Sequence, residues 1–177
     1  MKINQTLKDV LFGLALGGFM CMCAAIYFNK GENPVISEDT TTAVYMLHTL
    51  GMVFGVMMNR NSFPLDRKYT FFRALGVGYF IMLIASVIYG FYISFLYSEN
   101  VELLPAVKET LTANMDLMFP DNPELKDSYA TLMETMVTPS FLGIVEAIRV
   151  LMATLIPALV TALFFRRRVK IINNPNQ

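Results

Sequence analysis

Hydrophobic residues form four long runs along this chain, and charged residues are almost absent from them. The runs cover residues 10–28, 40–58, 74–97 and 141–165. A helix needs about 20 mostly apolar residues to cross the hydrocarbon core of a bilayer, whereas a soluble amphipathic helix carries charges on its solvated face. The pattern therefore predicts an all-α, polytopic protein with four transmembrane helices in a single membrane domain, 1–177.

The composition agrees with that prediction. Hydrophobic residues make up 55% of the chain and charged residues 16%, against about 25% charged residues in soluble domains. The net charge is zero, so no basic excess suggests binding to nucleic acid. Cys21 and Cys23 lie inside the first apolar run without the spacing of a zinc site or a disulfide framework. We expect no metal and no cofactor, and we interpret both cysteines as ordinary residues of a helix interior.

The first apolar run is interpreted as a retained membrane anchor. Lys2 and Lys8 precede it, as in a signal peptide. However, the run is longer than the roughly 7–15 residues of a signal-peptide core, and no small-residue cleavage site follows it.

Basic residues are segregated between the connections, and this predicts the orientation. Lys and Arg accumulate in cytoplasmic loops of membrane proteins. Most of them lie before the first run, between the second and third runs, or after the fourth run: Lys2, Lys8, Arg60, Arg67, Lys68, Arg73, Arg166, Arg167, Arg168 and Lys170. Alternation of four spans fits this set only if both termini are cytoplasmic, with residues 166–177 forming a cytoplasmic tail.

The long connection 99–139 is acidic and is predicted to be extracytoplasmic. Its apolar residues recur at steps of three and four, which predicts two amphipathic helices: Leu104, Val107, Leu111, Met115 and Met118 in the first, and Leu125, Tyr129, Leu132, Met133 and Met136 in the second. Between them, Asn122 is a candidate N-cap with Pro123 at the first helical position. The interpretations are a helical hairpin on the ends of the spans, a lid or docking surface, or a pair of helices lying on lipid.

Three ionisable residues fall inside the predicted spans. Such groups are costly in a membrane and are candidate functional residues by default. His48 lies near the centre of the second span, where it can hydrogen-bond a neighbouring helix or relay a proton. Glu146 and Arg149 are three residues apart and can pair on one helix face, either as a structural pair or as a site.

Small residues and one proline indicate how the spans pack. Small residues recur at close-packing spacing: Gly13, Gly17, Gly51, Gly55, Ser86 and Gly90. We interpret them as contacts between helices, within the chain or between copies. Pro157 cannot donate a backbone hydrogen bond and is predicted to kink the fourth span.

The arrangement as a whole resembles a bacterial membrane family, common in Bacteroidetes, that is catalogued as domain of unknown function 4199. The resemblance rests on a glycine-rich first span (residues 12–18), a short basic second connection, two aromatic and glycine-rich stretches of the third span (76–79 and 88–92), and an acidic segment before a proline-containing last span. It implies four helices in the bacterial inner membrane. It implies no established activity and no catalytic residues.

No enzyme motif is present in the sequence. It lacks a glycine-rich phosphate loop and a histidine pair, so catalytic residues are not expected. The leading hypothesis is a non-enzymatic accessory or structural subunit of a membrane complex, with a protein partner or a second copy and the lipid bilayer as its surroundings. The alternative is a small transporter or lipid flippase that uses His48, Glu146 and Arg149. An enzyme that acts on lipid is a weaker alternative.

Overall fold

The structure, a computed structural model, describes residues 4–65, 67–118 and 123–167, without the side chains of Met115, Asp116, Met118, Pro123 and Lys126. The described residues include seven α-helices and one 3-10 turn: α1 (Gln5–Asn29), α2 (Glu38–Ser62), α3 (Phe71–Glu99), the turn Val101–Leu103, α4 (Leu104–Met118), α5 (Pro123–Met136), α6 (Pro139–Ala153) and α7 (Leu155–Phe165). No β-strand occurs within these ranges.

Within the described part of the chain, four helical segments are long and apolar enough to cross a membrane: α1, α2, α3 and the combined α6–α7 segment, Pro139–Phe165. The prediction of an all-α protein with four such helices is confirmed. Each of these four segments begins before its apolar run, where a polar residue caps the first turn. The capping side chains are Asn4, Ser37, Thr70 and Thr138, which accept hydrogen bonds from nearby backbone N–H groups.

The last span is interrupted between α6 and α7. The break lies at Thr154, whose hydroxyl donates to the carbonyls of Val150 (3.1 Å) and Leu151 (3.0 Å). Pro157 follows three residues later and has no N–H to offer the carbonyl of Ala153. The break therefore lies beside the carbonyl of Ala153, which loses its helical hydrogen bond because of the proline.

Helix α3 is the centre of the bundle. It contacts α1, α2, α6 and α7, and α2 also packs against α1 and α7. Its buried face contributes Ile81, Tyr89, Ile93 and Tyr97 to the main hydrophobic core. Large apolar side chains on the opposite faces of the spans are exposed, among them Phe19, Phe91 and Phe164. Because lipid is as apolar as a protein core, these faces suit the hydrocarbon of a bilayer.

Glycines allow the spans to approach closely at several crossings. A Cβ at Gly13 would meet Ile84 and one at Gly17 would meet Ile88, both on α3. A Cβ at Gly51 would meet Leu16 on α1.

At the crossing of α3 and α6, backbone packs directly against backbone. A Cβ at Gly90 would lie 2.5 Å from the carbonyl oxygen of Gly143, and a Cβ at Gly143 would in turn meet the carbonyl of Gly90. Close backbone approach of this kind is the usual role of small residues in membrane helices.

Helices α4 and α5 contact each other at one end of the bundle. The Lys108 ammonium donates to the carbonyl of Glu134 (3.2 Å), so the start of α4 lies beside the end of α5. Val107 and Met133 are buried. We call this end, which also holds the α1–α2 loop, the α4–α5 end.

The predicted apolar stripe of α5 faces inward only in part. Of the five predicted residues, Met133 is buried and Tyr129 is half-buried, whereas Leu125, Leu132 and Met136 are exposed. The side chains of Met115 and Met118 on α4, the predicted turn 119–122 with its Asn122 cap, and the tail beyond Arg167 lie outside the described residues.

Candidate ligand-binding site

The α1–α2 loop brings polar groups to the α4–α5 end. Gly31 adopts a positive φ of 89°, a conformation that glycine tolerates without steric cost. The Asn33 side-chain oxygen then accepts hydrogen bonds from the backbone N–H of Val35 (3.2 Å) and from the Tyr97 hydroxyl. These contacts fix the loop against the end of α3 and position the carbonyl of Val35 near α6.

Glu146 and Arg149 form an ion pair one turn apart on α6. Arg149 Nη2 donates to Glu146 Oε2 at 2.6 Å. The Glu146 side chain is 2% exposed and the Arg149 side chain 35%. The carboxylate is thus enclosed by protein, while the guanidinium is the member of the pair that reaches open space.

Arg149 also links α6 to the α1–α2 region. Its Nη2 donates to Thr41 Oγ1 (3.2 Å) and its Nη1 to the carbonyl of Val35 (3.5 Å). The guanidinium carbon lies 5.8 Å from the centroid of the Tyr45 ring, within the range of a cation–π contact. Its Nε is buried and has no hydrogen-bond partner within the described part of the chain.

A cavity of about 400 Å³ opens beside this pair, between α4 and α5 on one side and α6 and the α1–α2 loop on the other. We call it the α4–α5 cleft. Its lining is Val35, Ile36, Val107, Thr110, Leu111, Asn114, Tyr129, Met133, Phe141, Leu142, Val145, Glu146 and Arg149. A mostly apolar wall with a few convergent polar groups is the usual composition of a small-molecule site.

The third predicted residue, His48, does not line this cleft. Its Nε2 lies 3.3 Å from the carbonyl of Met82 and 3.4 Å from Ser86 Oγ, both on α3. The ring is fully buried, and its Nδ1 has no partner among the described residues. Ser86, predicted as a packing residue, therefore also contacts the histidine. The structure brings Glu146 and Arg149 together and keeps His48 apart from the cleft.

A second buried polar cluster, at the other end of the bundle, was not predicted. Asn59 Nδ2 donates to both carboxylate oxygens of Asp9 (2.9 and 2.8 Å), and the Tyr69 hydroxyl donates to Asn59 Oδ1 (3.1 Å). Burial raises the pKa of Tyr69 to about 12, opposed by the nearby Arg73 charge. The hydroxyl therefore stays protonated and available as a donor. The sequence did contain one indication of this cluster, because Asp9 and Asn59 each lie directly beside an apolar run.

Arg167 closes this second end. Tyr69 and Arg167 exchange two backbone hydrogen bonds, of 3.2 and 2.8 Å. Arg167 Nη2 also donates to the carbonyls of Pro64 (2.6 Å) and Phe63 (3.3 Å). The end of α7 is thereby held against the α2–α3 loop.

Within residues 4–65, 67–118 and 123–167, no group of three or more His, Cys, Asp or Glu side chains is arranged to hold a metal ion. The chemistry of the α4–α5 cleft is that of ion pairing, hydrogen bonding and apolar contact.

Comparison with known proteins gives a family but no activity. Searches of curated proteins and of solved structures found no match. The family described as protein of unknown function (DUF4199) matches residues 11–167, which include α1 from Leu11 onward, the helices α2 to α7 and the α4–α5 cleft. The chain therefore belongs to the DUF4199 family.

Proposed function

We propose that this multi-pass membrane protein is a non-enzymatic accessory subunit that binds a small amphipathic ligand in the α4–α5 cleft. The observation that supports the proposal is the position of the Glu146–Arg149 pair, which is held by three further contacts at the wall of a mostly apolar cavity. A pair fixed in this way is preorganised to orient a polar group, since its rotamers are set before the ligand arrives.

Binding fits the available groups better than catalysis does. Glu146 is already paired with Arg149, and the chain's single histidine lies outside the cleft. A carboxylate engaged by a guanidinium is a weak general base, and no imidazole stands beside it to take its place.

The proposed setting is the bacterial inner membrane with both termini in the cytoplasm. The support is the distribution of Lys and Arg, which favours the cytoplasmic side in short loops. On this orientation the α2–α3 loop and the end of α7 are cytoplasmic. The α4–α5 cleft then opens on the extracytoplasmic side.

A second candidate is a small transporter or flippase. Two observations favour it: the Nδ1 of His48 in the bundle core, which has no partner among the described residues, and the break at Thr154 in the last span. Breaks in membrane helices often accompany moving segments or polar pathways. Flux in proteoliposomes should be lost when His48 and Arg149 are replaced by apolar residues, and unchanged flux would eliminate this candidate.

The binding proposal is tested by purification from native membranes in a mild detergent, with mass spectrometry of the proteins and lipids that elute with the chain. The wild type should carry a stoichiometric small amphipath, and a variant with Thr110→Phe should lose it because the larger side chain fills the cleft from α4. Arg67→Gln, on the exposed α2–α3 loop, is the control that should retain it. A wild type that elutes with nothing specific would contradict the proposal.

A further inference from the structure

We infer that the ligand of the α4–α5 cleft is an anionic amphipath, whose phosphate or carboxylate group binds Arg149 and whose hydrocarbon chain lies along the apolar wall. This inference rests on the proposed function, because it names the ligand class of the same cleft.

The donors left on Arg149 define the acidic end of the ligand. A guanidinium carries five N–H donors and no acceptor. Nη2 is used by Glu146 and Thr41, whereas Nη1 makes only a 3.5 Å contact with the carbonyl of Val35. Nη1 therefore has donor capacity left for a ligand in the cleft. An anionic oxygen is the acceptor that suits it best, because charge-assisted hydrogen bonds are the strong ones.

Glu146 does not cancel this preference. Its side chain is 2% exposed, against 35% for Arg149, so the guanidinium is the charged group that a ligand in the cleft meets first. Guanidinium groups match carboxylate and phosphate geometry well.

The remainder of the wall defines the other end of the ligand. The apolar residues Val107, Leu111, Met133, Phe141 and Val145 line the cleft. The cavity volume of about 400 Å³ lies within the usual range of ligand pockets. A small hydrated anion would leave these apolar surfaces uncovered, whereas a hydrocarbon chain covers them at a gain of about 0.8 kcal/mol per buried CH₂.

The surface around the cleft also favours a ligand that comes from the bilayer. Glu102, Glu109 and Glu134 are exposed on and beside α4 and α5. Carboxylates of one sign repel a free anion that approaches through water. An amphipath partitioned into the membrane avoids this barrier.

The test uses a single tryptophan reporter in proteoliposomes, because the chain has no tryptophan of its own. Phe141→Trp places the reporter in the cleft, and Phe91→Trp, at a 73% exposed position of α3, reports simple partition into lipid. The probes are ω-bromododecyl phosphate and ω-bromododecanol, which share a quenching chain and differ in charge. Relative to the Phe91→Trp signal, the phosphate should quench the cleft reporter at a concentration about tenfold lower than the alcohol, as expected for one charge-assisted contact.

Matched variants separate the possible causes. In the Phe141→Trp background, Arg149→Gln should bring the phosphate and the alcohol to the same affinity, and Arg67→Gln should leave the difference unchanged. If Arg149→Gln does not fold, Thr110→Phe must abolish quenching by both probes while leaving the ion pair in place. Inorganic phosphate should fail to displace the bromoalkyl phosphate. Displacement by inorganic phosphate alone would assign the site to a free anion and overturn the inference.

Two further outcomes distinguish the inference from the proposed function. Equal affinity of phosphate and alcohol in the Phe141→Trp protein with Arg149 intact would overturn the anionic ligand and leave binding of an amphipath intact. Quenching of the cleft reporter by neither probe beyond the Phe91→Trp control would overturn the binding function as well.

Discussion

The side-chain amide of Asn59 on α2 donates to both carboxylate oxygens of Asp9 on α1, at 2.9 and 2.8 Å. The two residues are 50 positions apart, and Asn59 is 1% exposed. Asn59 also accepts from the Tyr69 hydroxyl. One amide thus joins α1, α2 and the α2–α3 loop, and it is the central member of this buried network.

We predict that Asn59→Ala destabilises the protein strongly. The substitution leaves the Asp9 carboxylate and the Tyr69 hydroxyl without these partners, and an unsatisfied buried polar group costs about 1 to 3 kcal/mol. The melting temperature in detergent, followed by loss of the monodisperse peak in size exclusion, measures the effect. Asn61→Ala, one residue beyond Arg60 and exposed, is the control. Equal melting temperatures for the two variants would show that the network contributes nothing.

The Asp9–Asn59 contact also shows that hydropathy predicts the spans but not the partners of their polar side chains. The first predicted span begins at Val10, whereas α1 begins at Gln5, so the helix includes Asp9 and buries its side chain. Hydropathy locates a span because lipid demands an apolar surface all round. The partner of one buried carboxylate depends on how α1 and α2 cross, and the hydropathy pattern does not show the geometry of that crossing.

The α3–α6 crossing provides a second prediction. Gly90→Ala should lower stability by about 1 to 3 kcal/mol, the usual cost of overpacking, because the new methyl group would lie 2.5 Å from the Gly143 carbonyl oxygen. Gly76→Ala on the same helix meets nothing within 4 Å. That control should be neutral or stabilising by up to about 1 kcal/mol, since alanine is the better helix former. A Gly90→Ala variant as stable as its control would contradict the crossing geometry.

The spacing of small residues around Gly143 could have predicted its contact with α3. Gly143 and Ala147 have the same small-residue spacing as the glycine pairs of the other spans, yet only the Gly90 side of the contact was predicted.

The predicted pair Glu146 and Arg149 was found together because three residues separate neighbours on a helix face. Their contacts with Thr41 and Val35, by contrast, are long-range and required the folded loop between α1 and α2.

The break in the last span gives a third prediction. Pro157→Ala restores a backbone N–H that can bond the Ala153 carbonyl, so α6 and α7 should join into a straighter helix. Spin labels at Ile144→Cys and Phe164→Cys, both exposed positions, in a background with Cys21→Ala and Cys23→Ala, report the end-to-end distance. The distance should increase toward about 30 Å, the length of 20 residues of straight helix.

The control for that measurement is Pro139→Ala. Pro139 is the first residue of α6, where the missing N–H would have no intrahelical partner in any case. This variant should leave the distance unchanged. If Pro157→Ala also leaves it unchanged, the interruption is caused by packing at Thr154 and not by the proline.

The Glu146–Arg149 pair leads to a prediction about single and double substitutions. Arg149→Met leaves a buried carboxylate without its cation and should cost about 2 to 4 kcal/mol, less than the loss of a fully enclosed pair because the Arg149 side chain is 35% exposed. Adding Glu146→Gln removes the uncompensated charge and should recover part of the loss. Thermal unfolding of the two single variants and the double variant measures this coupling. A double variant with the summed loss of both single variants would show that the pair is not coupled.

The orientation of the chain is the last prediction, and it follows from the basic residues of the α2–α3 loop. If Lys and Arg mark the cytoplasmic side, then Arg67→Cys is cytoplasmic and Ser128→Cys on α5 is extracytoplasmic. Both positions are exposed, so both should react with a maleimide that reaches them. Each substitution is made in a protein whose two native cysteines are replaced by alanine, and the protein is labelled in spheroplasts. A membrane-impermeant maleimide should label Ser128→Cys at once and Arg67→Cys only after permeabilisation. The reverse order of labelling would place the α4–α5 cleft in the cytoplasm and direct the search for its ligand to the inner leaflet.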